Sequence, residues 1–126
     1  MNFGNTSDQE LMLQSVRSLL DDVCSMDYAA KCDINHTPPR EAFNAMAQNG
    51  WLGLIAPESF GGSGGSPTDL ALVLEETGHH FEELGLWLFR SFTYGCYAIL
   101  QHGTEEQKQR IVPGAANGKL SFAFAL

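Results

Sequence analysis

The chain has 126 residues, 44% of them hydrophobic, and 15 acidic against 7 basic side chains give it a formal net charge of −8. That length and composition describe one globular domain, residues 1–126, able to bury a core, and not a disordered chain. The acidic balance argues against a nucleic-acid surface, which needs clustered Lys and Arg to meet phosphate.

The first helix is expected to begin at Ser7, where Ser7-Asp8-Gln9-Glu10 has the form of a capping box. Leu11, Met12, Val16, Leu19, Leu20 and Val23 recur at helical spacing and predict an amphipathic helix reaching about Ala30. Asp33 to Pro38 reads as a loop. Pro39 suits the first turn of a second helix, and Gly50 suits its left-handed C-terminal cap. Pro57 to Pro67 is a glycine-rich loop. Ser66-Pro67-Thr68-Asp69 opens a third helix leading to Gly78. An apolar helix from about Leu84 to His102 follows, closed by Gly103. Thr104-Glu105-Glu106-Gln107 caps a fifth helix, and Gly118 marks its exit. Ser121 to Leu126 reads as a strand start. The fold class is therefore all-α, a bundle of about five helices with a short strand start at the C-terminus.

Cys24, Cys32 and Cys96 are an odd number without paired or metal-ligand spacing, which predicts reduced thiols and a cytoplasmic setting. The polar first ten residues have no signal-peptide pattern. Leu84 to Leu100 carries a single charge, Arg90, and is shorter than the ~20 apolar residues of a bilayer span, so it predicts a buried helix and no membrane span.

Few local motifs carry chemistry. Gly61-Gly62-Ser63-Gly64-Gly65 has no following Gly-Lys-Ser/Thr and no preceding strand, so a structural turn explains it better than a phosphate loop. His79 and His80 are adjacent and point about 100° apart on a helix, and no metal site is expected. No nucleophile elbow exists, and Cys32 beside Lys31 is a weak thiolate candidate set against an ordinary packed cysteine. Arg90 is different. A lone cation in an apolar helix must snorkel to water, meet a ligand or pair with an acid, and pairing is the plainer expectation.

Five segments in order then carry a resemblance. They are Trp51-Leu52-Gly53-Leu54-Ile55-Ala56-Pro57-Glu58, Phe60-Gly61-Gly62-Ser63-Gly64-Gly65, Leu70-Ala71-Leu72-Val73-Leu74-Glu75-Glu76, Gly103-Thr104-Glu105-Glu106-Gln107-Lys108 with Pro113, and Gly118-Lys119-Leu120 with Phe122-Ala123-Phe124-Ala125-Leu126. From Pro39 to Leu126 the chain resembles the N-terminal helical domain of an acyl-CoA dehydrogenase; the first 38 residues match only as an amphipathic helix in the right place. The resemblance implies FAD as cofactor and an acyl-CoA thioester as substrate, oxidised to the 2-enoyl-CoA. In that family the proton-abstracting glutamate lies in a C-terminal helical domain. The flavin-binding β-domain begins where this sequence stops. No glutamate here is therefore expected to be catalytic, and the chain alone is expected to be inactive. Phe124, Ala125 and Leu126 match the strand start beside the flavin ring. Counting back from Gly103, Leu86, Arg90 and Tyr94 match positions that wall the acyl pocket, and Arg90 departs from an aliphatic wall.

Three functions follow as expectations. The first is the N-terminal domain of an FAD-dependent acyl-CoA dehydrogenase, partnered by the missing β- and C-terminal domains or by another chain, and oligomeric by family habit. The second is a stand-alone interaction module or one subunit of a two-chain enzyme, with Ser121 to Leu126 pairing as an edge strand. The third is another flavoenzyme of this fold, an acyl-CoA oxidase or a flavin monooxygenase.

Overall fold

The computed structural model describes residues 4–123 and Ala125. Its elements are α1 (Ser7–Val23), α2 (Met26–Ile34), α3 (Arg40–Gln48), two short 3-10 turns (Trp51–Gly53 and Glu58–Phe60), α4 (Pro67–His80), α5 (Glu82–Arg90), a π-helical segment (Ser91–Tyr97), α6 (Ala98–His102) and α7 (Glu105–Ala116). The last three before α7 form one continuous rod, so the bundle has six rods among the described residues. No strand is found there. The described residues of the C-terminal segment lie outside regular structure, because an extended segment needs a neighbour to become a ladder.

Local chemistry explains most boundaries. Thr104 Oγ1 accepts from Gln107 N–H while Gln107 Oε1 accepts from Thr104 N–H, and Ser66 and Asp69 do the same for α4. The first capping box lies one residue earlier than expected, with Thr6 accepting from Gln9 N at 3.2 Å. The first helix is also broken where the periodicity predicts continuity. Ser25 accepts from Tyr28 N and starts α2 as a separate helix, which then runs to Ile34, inside the expected loop. Pro39 stands just before the first turn of α3. Gly50 adopts positive φ after α3, as expected, Gly118 does so where the last helix exits, and His36 does so at φ 52° after α2. Gly78 does not end α4, which continues to His80. A Cβ at Gly85 would come within 3.2 Å of the Gly78 Cα, so the two glycines permit the close approach of α4 and α5.

The main core gathers Val16, Leu20, Cys24, Phe43, Met46, Leu52, Val73, Leu84, Leu88 and Phe92 from α1 and its C-terminal cap, α3, the first 3-10 turn, α4, α5 and the π segment. A smaller cluster of Ala56, Cys96, Val112, Ala115 and Ala116 seats α7. Residues Leu84, Leu88 and Phe92 make the apolar rod a core helix, and no helix among the described residues is long and apolar enough to cross a membrane.

Candidate functional site

The glycine-rich loop spends its amides on its own chain. Gly62 N–H donates to Pro57 O, Ser63 N–H to Gly53 O, Gly64 N–H to Ala56 O and Gly65 N–H to Leu54 O, at 2.7–3.1 Å. Those donors are not free for phosphate, and the structural turn is the arrangement observed. The loop instead forms one wall of a pocket of about 640 Å³. Ile55, Phe60, Pro67 and Leu70 face Thr93, Tyr97 and Leu100 across it. Lys108 and Glu105, paired at 2.8 Å, stand at its edge.

A second, smaller recess of about 110 Å³ lies where the rod meets the C-terminal segment. Phe43, Trp87 and Phe122 wall it, with Arg90, Ser91 and Ser121 as its polar groups. Phe43 and Trp87 meet edge to face at 5.3 Å, and Arg40 lies over the Trp87 ring at 5.9 Å. Trp87 Nε1–H donates to Glu83 at 2.9 Å. Arg90 does not form the expected pair with an acid: no ion pair or hydrogen bond of its guanidinium is found among the described residues.

Of the three positions expected to wall a substrate pocket, Arg90 alone lines one of these two cavities. Leu86 is 38% exposed on α5, and Tyr94, half-buried, packs edge to face on Phe89 at 5.9 Å. The rod's cavity-facing positions past Arg90 are Ser91, Thr93, Tyr97, Leu100 and Gln101, which a uniform helix count did not single out. The cause is the π segment. Ala98 N–H reaches Thr93 O, five residues back, and the wider turn rotates every later side chain relative to an α-helix. A weak signal existed in Ser91 and Thr93, whose hydroxyls donate to the carbonyls of Trp87 and Phe89. Of the expected cofactor-edge positions, Phe124 and Leu126 lie outside the described residues, and Ala125 is exposed.

Charge elsewhere is organised between α1 and α4. Arg17 forms a two-pronged contact with Glu76, at 2.7 and 3.0 Å, and His80 bridges Asp21 at 3.1 Å. The hydrogen bond from Arg17 holds the Glu76 carboxyl below its ordinary range. Burial lowers the His80 pKa, but the Glu76 carbonyl and Asp21 outweigh it and the net shift is upward. Burial pushes the thiols of Cys24 and Cys96 up to about 11, and Cys32 is likewise buried without a disulfide, which is the packed-cysteine arrangement.

The family model described as acyl-CoA dehydrogenase, N-terminal domain, matches residues 6–119. The chain is 32% identical, over its whole length, to 33% of the probable acyl-CoA dehydrogenase YngJ of Bacillus subtilis. It is 31% identical to the short-chain-specific acyl-CoA dehydrogenase of Clostridium acetobutylicum, again over all of this chain and 33% of that one. Among solved structures, a glutaryl-coenzyme A dehydrogenase in complex with glutaryl-CoA is similar at TM-score 0.82 and 26% identity, over 96% of this chain and 31% of that chain. A chain of the ChsE4-ChsE5 complex from Mycobacterium tuberculosis is similar at TM-score 0.73 and 27% identity, over 95% of this chain and 30% of that one. The chain thus spans about a third of the length of the relatives it matches.

Proposed function

The chain belongs to the acyl-CoA dehydrogenase family, as its N-terminal helical domain, and from that premise we propose that it serves in an FAD-dependent oxidation of an acyl-CoA to its 2-enoyl-CoA. The observation that carries this is the family match over residues 6–119, laid on a helical bundle whose rods fall in the same order as the matched segments. In this proposal the domain supplies part of the acyl wall through Leu86, Arg90 and Tyr94, and the flavin-ring edge through Phe124, Ala125 and Leu126. The proton-abstracting carboxylate comes from outside this sequence.

The described residues do not build a flavin cradle of their own. No buried side-chain nitrogen or oxygen among them is left without a hydrogen-bond partner to be met by a cofactor. Ala125, the one described edge position, is exposed. FAD, when bound, supplies the hydride acceptor, and this domain's share is to shape one side of the site. The likeness to a chain from a two-protein complex favours a version in which a partner chain completes it, and the assembly is a homo- or hetero-oligomer.

The test is to purify the protein in the assembly it forms in its own cell and measure molar mass and flavin absorbance together. Anaerobic acyl-CoA is then added. A defined flavin-containing assembly whose absorbance bleaches as 2-enoyl-CoA forms is the expected result. An assembly without flavin, or with flavin that no acyl-CoA reduces, overturns the proposal.

A further inference from the structure

We propose that His80 is a proton-operated latch: as an imidazolium it ties the C-terminal end of α1 to α4, and loss of its proton releases that end. The latch stands whether or not the chain serves a dehydrogenase. Three polar contacts join α1 to α4 along their length. Gln9 donates to Asp69 at 2.9 Å, Arg17 forks onto Glu76 at 2.7 and 3.0 Å, and His80 Nε2 meets Asp21 at 3.1 Å. The first two do not change near neutral pH. Gln9 is an amide and Arg17 keeps its charge. Hydrogen bonds from Gln9 and Arg17 hold the Asp69 and Glu76 carboxyls below their ordinary range. Only the contact at His80 can change its charge there.

The surroundings of the ring say which charge it carries in the closed latch. Both nitrogens face acceptors: Nδ1 lies 3.0 Å from the Glu76 carbonyl oxygen and Nε2 3.1 Å from the Asp21 carboxylate. Only the imidazolium has a proton on each nitrogen, and a neutral ring must turn a lone pair on one of the two oxygens. The Glu76 carbonyl is fixed inside α4, whereas the Asp21 side chain is 66% exposed and can turn into water. Asp21 is therefore the partner that leaves, and the neutral ring keeps its proton on Nδ1. The helix ends favour the charged form as well. Asp21 and Asp22 lie in the last turn of α1, at the negative end of its dipole, and that turn has no basic residue of its own. His80 is the last residue of α4, where a cation is favourable. The charged and titratable groups around the ring are Glu76 and His79 on α4 and Asp21 and Arg17 on α1. Beyond it α5 opens with Glu82 and Glu83, and Glu83 accepts from Trp87. Burial disfavours the charge, but the Glu76 carbonyl and Asp21 outweigh it. The folded ring thus keeps its proton above the ordinary 6.5, and the latch opens as pH rises through that higher value.

The test follows the ring-nitrogen NMR shifts of His80 in the whole chain from about pH 5.5 to about pH 8.5, a range that spans imidazole titration. Amide exchange along α1 is measured over the same range and corrected for the intrinsic effect of pH. A doubly protonated ring is expected at the acid end, and a neutral ring with its proton on Nδ1 at the alkaline end. Opening at residues 20–24 is expected to rise about two- to fivefold across the range, the worth of one screened ion pair, while residues 10–16 stay unchanged. His80→Gln and Asp21→Ala should each abolish that pH response, and the alanine, at an exposed site, leaves the core untouched. His79→Gln removes the neighbouring imidazole and keeps the response. A ring already neutral at the acid end overturns the latch, as does a neutral ring that carries its proton on Nε2 and still holds Asp21. So does opening at residues 20–24 that ignores pH or that responds to it equally in Asp21→Ala. Opening that spreads evenly over α1 also overturns it, because it would report global stability and not the release of one end.

Discussion

At the scale of single residues, two glycines of one loop are held for opposite reasons. Gly64 has φ of +64° with open space where a Cβ would go, so a side chain there costs only backbone strain. A Cβ at Gly62 would run into the carbonyl groups of Ala56 and Gly53, which cannot retreat without opening the loop. Gly64→Ala is expected to cost about 1–2 kcal/mol, and Gly62→Ala more than that, in urea unfolding of the same protein. Equal costs would mean the loop is softer than its hydrogen bonds imply. The thiols make a second residue-scale prediction. With burial holding them at about 11, Cys24 and Cys96 should resist alkylation in the folded protein at mildly alkaline pH and react only on unfolding. Prompt labelling of either thiol in the native state would contradict the packing.

At the scale of elements, the caps and the α1–α4 charge network can be tested separately. Thr104→Ala removes the acceptor for Gln107 N and is expected to cost about 1 kcal/mol, read as a lower thermal midpoint. The network predicts a sign with pH. His80 has a raised pKa when folded, so the stability it adds is complete below its ordinary value of 6.5 and is lost as pH rises through the higher folded value. Glu76 has a lowered one, so its contribution is present above its ordinary 4.5 and is lost as pH falls through the folded value. Both act together between about 4.5 and 6.5. The stability gap between wild type and His80→Gln should therefore be widest in that window and narrow towards pH ~8.5. A gap that grows with pH would mean His80 is held neutral. Exposure and salt keep the size of the effect small, because such contacts near the surface are screened.

The start signals of α4 and α7 were readable in the sequence because a cap is a contact between residues three apart. The break at Ser25 was not. Ser25 accepts from Tyr28 N and caps a new helix inside a stretch expected to continue to about Ala30. The π segment was hidden too. Within it Gly95 lets the Phe122 ring lie against the rod, a contact between residues distant in the chain. Gly95→Ala should displace Phe122 and speed amide exchange in residues 119–123. Unchanged exchange would show that the ring does not anchor the segment.

At the scale of the whole molecule, the rod presents an outward strip of Leu86, Phe89 and Tyr97, each at least 38% exposed. Large apolar side chains gathered on one face favour association. Phe89→Lys is expected to lower concentration-dependent self-association of the chain in light scattering, and no change would mean the strip is inert. Of the positions that family resemblance placed on the acyl wall, Leu86 lies in this exposed strip and Arg90 lines the small recess, and their role at a substrate stays a proposal. The larger pocket was not legible in the sequence, because the glycine loop and the end of the rod meet only in three dimensions.

By itself, the sequence determined the family, the all-helical class, the order of the rods and the caps that start α4 and α7. Those rest on periodicity, on spacing within a few residues and on ordered motifs. Only the tertiary structure decided that α1 ends before Ser25, that Gly78 serves a helix crossing and not a helix end, and that the rod rotates through a π turn. It also decided that Arg90 lines an aromatic recess with no acid partner among the described residues. The helix crossing and the aromatic recess bring together residues from different elements, and such contacts leave no local pattern to read.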